Sequence, residues 1–505
     1  MKKVYQIMFY VLFTAIVANI IFADEIILSS ESVEYRKLEY SRYQRVKGIL
    51  TPEEYFEDLE ALEYLITAGY AGYEEMVERG FNVENFHKNI TEQFDDKDEI
   101  ITRDFYFAVT KELKPYISDS HFIISHYTDT TSFSDRKFVA WSDIFVTKNG
   151  EEYLVSESTL PEINKGDKFN GSQENLFYYP VKGKETYRIG ALTDSDTQKT
   201  SKTFTFNSRN FSVPLKQDGA IQVRPMKFKE FETENSAYIA LNSFLFPEAE
   251  DSASRAANII FKKFINLGKK YNKKKTIILD LRTNMGGDPL IPLRFSYGLY
   301  KNCKTDLQGP VSTKLSKWHS NSFFERKQIY SPAYLEIYKG YLLARNYTDQ
   351  ANNISQQIEE IKKAPVRKLV LKTLNSSGMF KKKPKFKGKL IILTDRNTVS
   401  AGEFAIIQAK HILGEKNVIV VGENTWGMAA FWNIMDVQLP NSKINIHTAF
   451  GTGETIRKNK NWHGEGTGLF PDYWCTGNDL NETIFMISGD TEMKEKLKDI
   501  EFRLM

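Results

Sequence analysis

Leu390-Ile391-Ile392-Leu393-Thr394 is a short apolar run bounded by turn residues, and it reads as a buried strand. Asp395-Arg396-Asn397 is a polar turn. From Ala401 to Leu413 the apolar residues fall at helical spacing, and Gly414 stops the pattern. The segment is therefore strand, turn, helix, and Thr398-Val399-Ser400-Ala401-Gly402-Glu403 is the joint. Ser400 stands at the helix start, where unpaired N–H groups and a partial positive charge suit a developing oxyanion. Serine is also a favoured N-cap, so the junction alone does not separate a cap from a nucleophile.

A second junction has the same form. Thr276-Ile277-Ile278-Leu279-Asp280-Leu281 reads as a strand and runs into Arg282-Thr283-Asn284-Met285-Gly286-Gly287-Asp288. Paired glycines after a strand let the backbone approach a ligand closely and present N–H groups to it. With Ser400, the expected donors of an oxyanion hole are Gly286 or Gly287 and Ala401.

Two further stretches follow: Val420-Val421-Gly422-Glu423-Asn424-Thr425-Trp426-Gly427 and Glu465-Gly466-Thr467-Gly468-Leu469-Phe470-Pro471-Asp472. In this order the four stretches resemble the core of the C-terminal-processing (tail-specific) serine peptidase family and its tricorn-protease-like branch. Asp280 to Gly287 resembles that family's DLR-x-N-x-GG loop, and Thr398 to Glu403 its nucleophile segment. The resemblance covers residues 237–472 apart from an insertion, plus one short upstream segment.

One departure bears on mechanism. Many members of the family use a lysine as base just after the glycine of the third stretch, and here that position is Met428. A thioether cannot take a proton from serine at neutral pH. The tricorn-like branch uses a far-upstream His preceded by Ser, together with a late Glu. Asp119-Ser120-His121-Phe122 is similar to the upstream motif, and Glu465 falls on the late glutamate. The resemblance thus implies a tetrad: Ser400 as nucleophile, His121 as general base, and Ser120 and Glu465 orienting and stabilising the imidazolium. A serine hydroxyl needs such a base, and the base needs a third group to fix its tautomer.

The rest of the chain sets the frame. Its 505 residues are 41% hydrophobic, enough for about two to four domains. A net charge of +3 gives no electrostatic argument for nucleic acid. The runs Lys273-Lys274-Lys275 and Lys381-Lys382-Lys383 read as solvated turns. Two cysteines, Cys303 and Cys475, give no metal-ligand spacing, and one disulfide between them is open in an exported chain. No metal or cofactor is expected.

Residues 1–23 read as a secretory signal peptide: Lys2-Lys3, an apolar run from Val4 to Ala23, then Asp24-Glu25. The run is near the length of a membrane span, so an uncleaved anchor through residues 4–23 is the alternative. The expected location is periplasmic or secreted.

Residues 24–126 read as a helical region ending in the Ser-His segment, with Tyr55, Leu59, Leu62 and Ile66 on one face. Residues 127–230 read as a β-rich domain. Within it, Ile163 to Gly171 partly resembles a PDZ segment of this family, so either a degenerate PDZ or another small β domain is expected.

The catalytic core is placed at 231–304 and 388–480, with a helix from Ala253 to Leu267 stopped by Gly268. Residues 305–387 form an insertion, either a substrate lid or a packing subdomain. Residues 481–505 read as a helical tail. The fold class is α/β, and the resemblance implies a ClpP/crotonase-like core. The implied activity is a serine endopeptidase acting on protein or peptide through an acyl-enzyme. The alternative is a non-catalytic protein on the same fold that binds a hydrophobic ligand or a peptide.

Overall fold

The computed structural model describes residues 25–32, 38–41, 44–127, 129–194, 199–217, 228–245, 252–307, 309–322, 326–344, 347–361, 366–372, 380, 382–498 and 500. The signal or anchor segment expected at 1–23 lies outside the described residues. No described helix is long and apolar enough to cross a membrane. The chain divides into two compact units, each assembled from three segments.

The first unit takes Met1–Ser134, Ser316–Ser377 and Ala430–Asn459. Its eight-stranded sheet runs Glu25–Ser32, Val366–Lys372, Arg326–Tyr330, Asn445–Gly453, Phe431–Gln438 and Glu39–Tyr40, with antiparallel neighbours. Ile123–His126 also pairs with Asn445–Gly453 and carries Asp129–Ser132 beside it.

Helices make up most of residues 52–113. The Pro52–Tyr64 helix begins with a capping box: Glu54 N–H donates to Thr51 Oγ1 at 3.3 Å and Thr51 N–H to Glu54 Oε2 at 3.0 Å. Its apolar face buries Tyr55, Leu59 and Leu62, and a π-helical turn, Leu65–Gly69, carries the face on through Ile66. Helices Tyr73–Glu78, Val83–Thr91 and Thr102–Leu113 follow.

The second unit takes Asp135–Leu315, Gly378–Ala429 and Lys460–Met505. Its centre is a six-stranded sheet of β1 (Phe228–Glu232), β2 (Ser236–Leu241), β3 (Thr276–Asp280), β4 (Lys389–Thr394), β5 (Val418–Gly422) and β6 (Tyr473–Trp474), in that spatial order. Only β1 is antiparallel to its neighbour; β2 to β6 are parallel. Strands β3 and β4 are buried along almost their whole length, as parallel strands covered on both faces must be. Helices α1 (Ser252–Lys270), α2 (Leu290–Lys301) and α3 (Ala401–Leu413) follow β2, β3 and β4.

Residues 137–194 and 199–216 contribute a seven-stranded antiparallel sheet and two 3-10 turns. Trp141 and Phe177 of that sheet pack edge-on against Trp474 of β6, with ring centroids 5.6 and 4.9 Å apart. Helices Leu480–Ser488 and Thr491–Leu497 close the chain.

Two expectations change, and a point left open is decided. Gly268 does not stop α1, which runs on to Lys270; a Cβ at Gly268 would lie 2.2 Å from the Phe295 carbonyl oxygen, so the glycine lets α1 and α2 touch. Residues 430–459, read as catalytic core, fold with the N-terminal unit, as does the 316–377 part of the insertion. Cys303 and Cys475 are both free thiols.

Candidate active site

Ser400 lies where β4 turns into α3. Its backbone, φ 51° and ψ −114°, is in a region that non-glycine residues avoid. Such a conformation costs on the order of 1–3 kcal/mol and persists only when its surroundings enforce it. Several contacts do so. Asp395 is buried and accepts N–H bonds from Thr283 at 2.9 Å and Asn397 at 3.0 Å. Burial pushes its carboxyl up to about 6 against those bonds. Thr398 Oγ1 donates to the Leu281 carbonyl at 2.9 Å, and Val399 N–H to the Asn284 carbonyl at 2.9 Å. The turn after β4 is thereby fastened to the turn after β3.

Glu403 holds the helix side of the joint. Its side chain is fully buried. One carboxylate oxygen accepts Ser400 N–H at 2.9 Å and Met428 N–H at 2.8 Å. The other accepts Gly427 N–H at 3.0 Å and the Thr425 hydroxyl at 2.5 Å. Burial raises its carboxyl to about 7, opposed by those donors. This residue ties the serine turn to the loop after β5. Sequence reasoning quoted Glu403 as part of a motif and gave it no role. The available signal was an acid three residues past a helix start, which a surface capping box explains equally well.

The glycine loop after β3 meets the same turn. A Cβ on Gly286 would stand 2.8 Å from Ser400 Cβ, so only glycine fits there, and its φ is +74°. Gly286 N–H is already committed, donating to Asn284 Oδ1 at 3.0 Å. Gly287 has φ +126°, and neither its N–H nor that of Ala401 enters the main-chain hydrogen bonds of these turns. Of the three expected oxyanion donors, Gly287 and Ala401 are free of that commitment and Gly286 is not.

Glu465 lies half-buried in a loop that docks on the segment after β5. Gly466 N–H donates to the Gly427 carbonyl at 3.0 Å, and Leu469 N–H to Thr425 Oγ1 at 2.7 Å. A Cβ on Gly427 would strike Gly468 N and Gly466 N at 2.6 and 2.7 Å. Ser400, Gly286, Gly287, Ala401, Met428 and the Glu465 loop thus belong to one interlocked set in the second unit. Among the described residues, no group of three or more His, Cys, Asp or Glu side chains is placed to hold a metal ion.

Ser120 and His121 belong to the first unit and are buried. Asp119, wholly buried, accepts His121 N–H at 2.7 Å and sets its Oδ1 3.8 Å from His121 Nδ1. That distance is too long for a hydrogen bond but short enough for a carboxylate to favour an imidazolium. Burial, reinforced by the charge of His447, drives the His121 imidazole down to about 3, so it is neutral at physiological pH. Asp119, two residues before the histidine, is a second group that sequence reasoning quoted and left without a function.

Residues 333–474 match the model of peptidase family S41. The match contains the Ser400 turn, Glu403, Met428 and Glu465 but neither the Ser120-His121 segment nor the glycine loop. No curated protein matches the chain. Among solved structures, mature CPAF is similar at 12% identity and TM-score 0.39, over 89% of this chain and 97% of that one. A putative peptidase from Parabacteroides merdae ATCC 43184 is similar at 14% identity and TM-score 0.36, over 89% and 96%. The photosystem II D1 C-terminal processing protease is similar at 13% identity and TM-score 0.31, over 84% and 93%. The family similarity extends over less than a third of the chain and takes in the Ser400 turn; the class it points to is a serine peptidase.

Proposed function

We propose that this chain is an exported endopeptidase that cleaves peptide bonds through an acyl-enzyme. Its tetrad is Ser400, His121, Ser120 and Glu465, and the parallel sheet of the second unit is a ClpP/crotonase-like core. Ser400 Oγ attacks the peptide carbonyl while His121 takes its proton. The oxyanion is received by the N–H groups of Gly287 and Ala401. His121 then delivers the proton to the leaving amine, and water releases the acyl group by the same route reversed. The imidazolium that forms is disfavoured by burial, so it needs the negative charge of Glu465 and Asp119. A lysine base at position 428 is absent from this scheme, because Met428 has no basic atom. Secretion or periplasmic residence, through cleavage near Ala23 or retention of residues 4–23 as an anchor, is part of the proposal.

The observation that carries the reading is the strained Ser400 backbone, with φ 51° at a strand-to-helix turn and Gly286 packed against its Cβ. That geometry presents a hydroxyl beside uncommitted N–H groups, as in a nucleophile elbow. The test compares the parent with Ser400→Ala on unfolded casein and with a fluorophosphonate probe. The parent is expected to cleave and to be labelled. The variant should lose at least about a thousandfold in rate while keeping its fold. Equal cleavage by both sinks the assignment. Failure of the parent to cleave or label favours a binding protein on the same fold.

A further inference from the structure

Asp135-Arg136-Lys137 opens the first segment of the second unit and leads into the strand Lys137–Asn149. This short strap touches three members of the set interlocked around Ser400. The first is the Glu465 loop. Lys137 N–H donates to the Gly466 carbonyl at 2.8 Å, and a Cβ on Gly466 would lie 2.2 Å from the Asp135 carbonyl oxygen, so strap and loop meet backbone to backbone. The second is the loop after β5, where Asn424 Nδ2 donates to the carbonyls of Lys137 at 3.1 Å and Thr467 at 2.8 Å. The third is the serine turn. Arg136 Nη2 donates to the Arg396 carbonyl and to Asn397 Oδ1, the latter at 2.8 Å. Asn397 stands three residues before Ser400.

The same guanidinium is stacked. Its central carbon lies 3.3 Å from the ring centroid of Trp426 and 4.5 Å from that of Phe138. Trp426 N–H donates to the Thr398 carbonyl at 3.0 Å, so the stacked ring belongs to a residue that is itself bonded to the serine turn. A second guanidinium, that of Arg396, lies 4.8 Å from Phe138 and is paired with Glu423 at 2.8 and 3.2 Å. Arginine can stack and donate at once, because its N–H groups lie in the plane and its face is left to a ring. The ammonium of lysine has no such face.

We propose that Arg136 is a positioning residue for the peptidase reaction: stacked on Trp426 and bonded to Asn397, it fixes the turn that aims Ser400. The proposal rests on Ser400 being the nucleophile and asks nothing of the base. It gives Arg136 no contact with substrate. Asp395 and Glu403 secure the two ends of the serine turn, and Arg136 secures the Arg396-Asn397 stretch between them from outside. The Ser400 backbone, at φ 51°, keeps its conformation only while its surroundings enforce it. A loosened turn misplaces the attacking oxygen, and a displacement of about 1 Å can cost a hundredfold in rate.

The experiment uses the full-length chain and a fluorophosphonate probe, whose saturation kinetics separate kinact from KI. Four proteins are compared: the parent, Arg136→Lys, Trp426→Leu and the double variant. Arg136→Lys keeps the charge and loses the planar fork, and it is expected to lower kinact about ten- to a hundredfold with KI unchanged. In the Trp426→Leu background the same substitution should cost little further, because the stack is already gone. Equal kinact in parent and Arg136→Lys overturns the proposal, and so does an equal loss in both backgrounds. Hydrogen exchange read by mass spectrometry needs no activity. Arg136→Lys should speed exchange in the peptides that carry Asn397 and Trp426 and leave the rest of the second unit as it was. Exchange raised throughout that unit marks a merely structural role and overturns the proposal. A parent that exchanges as expected yet takes no label sinks Ser400 as nucleophile, and the catalytic role of Arg136 with it. A labelled parent matched by Arg136→Lys sinks the positioning role alone.

Discussion

Glu403 accepts four hydrogen bonds from groups spread between Ser400 and Met428, and it does so without contact with water. Burial holds its folded-state pKa near 7, above the ordinary carboxylate value. The folded chain therefore binds this proton more tightly than the unfolded chain between about pH 4.5 and 7. The contribution of Glu403 to stability is full below that window and falls as pH rises through it. Over some 2.5 pH units the change amounts to about 3 kcal/mol. Glu403→Gln keeps the shape but cannot titrate, and its NH2 faces donors where an acceptor is needed. The difference in Tm between parent and variant should shrink as pH is raised from 5 to 7.5, measured by calorimetry. A difference independent of pH would show that Glu403 does not titrate in this range. At this scale the sequence made Ser400 legible, because strand, turn and helix are local patterns. It left Glu403 unread, because the donors at Thr425, Gly427 and Met428 lie more than twenty residues away and fold alone brings them in. The choice between Gly286 and Gly287 was hidden for the same reason: what separates them is the Asn284 side chain on one N–H.

Helix α1 carries a glycine in its last turns that local rules misread. Gly268 looks like a stop because glycine is the usual C-terminal breaker. The helix continues because α2 passes so near that no side chain fits between them. Propensity and packing now give opposite signs for Gly268→Ala. Alanine favours a helix interior by about 1 kcal/mol, whereas overpacking costs about 1–3 kcal/mol. With a Cβ only 2.2 Å from the Phe295 carbonyl oxygen, packing wins. The variant should be less stable by about 1–2 kcal/mol, seen as a lower urea midpoint at unchanged m. A raised midpoint would mean that the glycine is a simple helix defect. Strands β3 and β4 and helix α3 were readable within a residue or two, since continuous burial leaves continuous apolar runs. Gly268 was misread because its reason for being there is a neighbour, and sequence spacing carries no neighbours.

The two units are woven from interleaved segments, and this was the least legible level. Glu25–Ser32 finds its partner in Val366–Lys372, and Arg326–Tyr330 joins that strand to Asn445–Gly453. Pairings over hundreds of residues leave no local trace, so residues 305–387 read as an insertion, either a lid or a packing subdomain. The packing favours the second. Tyr334 of the Pro332–Ala344 helix meets Phe450 with ring centroids 5.3 Å apart, and Ala333 lies against Gly69. Replacing residues 316–377 by a short linker would strip two strands from the middle of the eight-stranded sheet. It would also leave Glu25–Ser32 with no partner and Asn445–Gly453 with an open edge, which invites aggregation. A detachable lid predicts a soluble, folded protein with altered activity after that deletion. The observed pairing predicts an insoluble chain, or one that has lost cooperative thermal unfolding. Far-UV circular dichroism and sedimentation of the deletion variant decide between them, and a monomeric product melting near the parent's Tm would return the segment to the status of a lid.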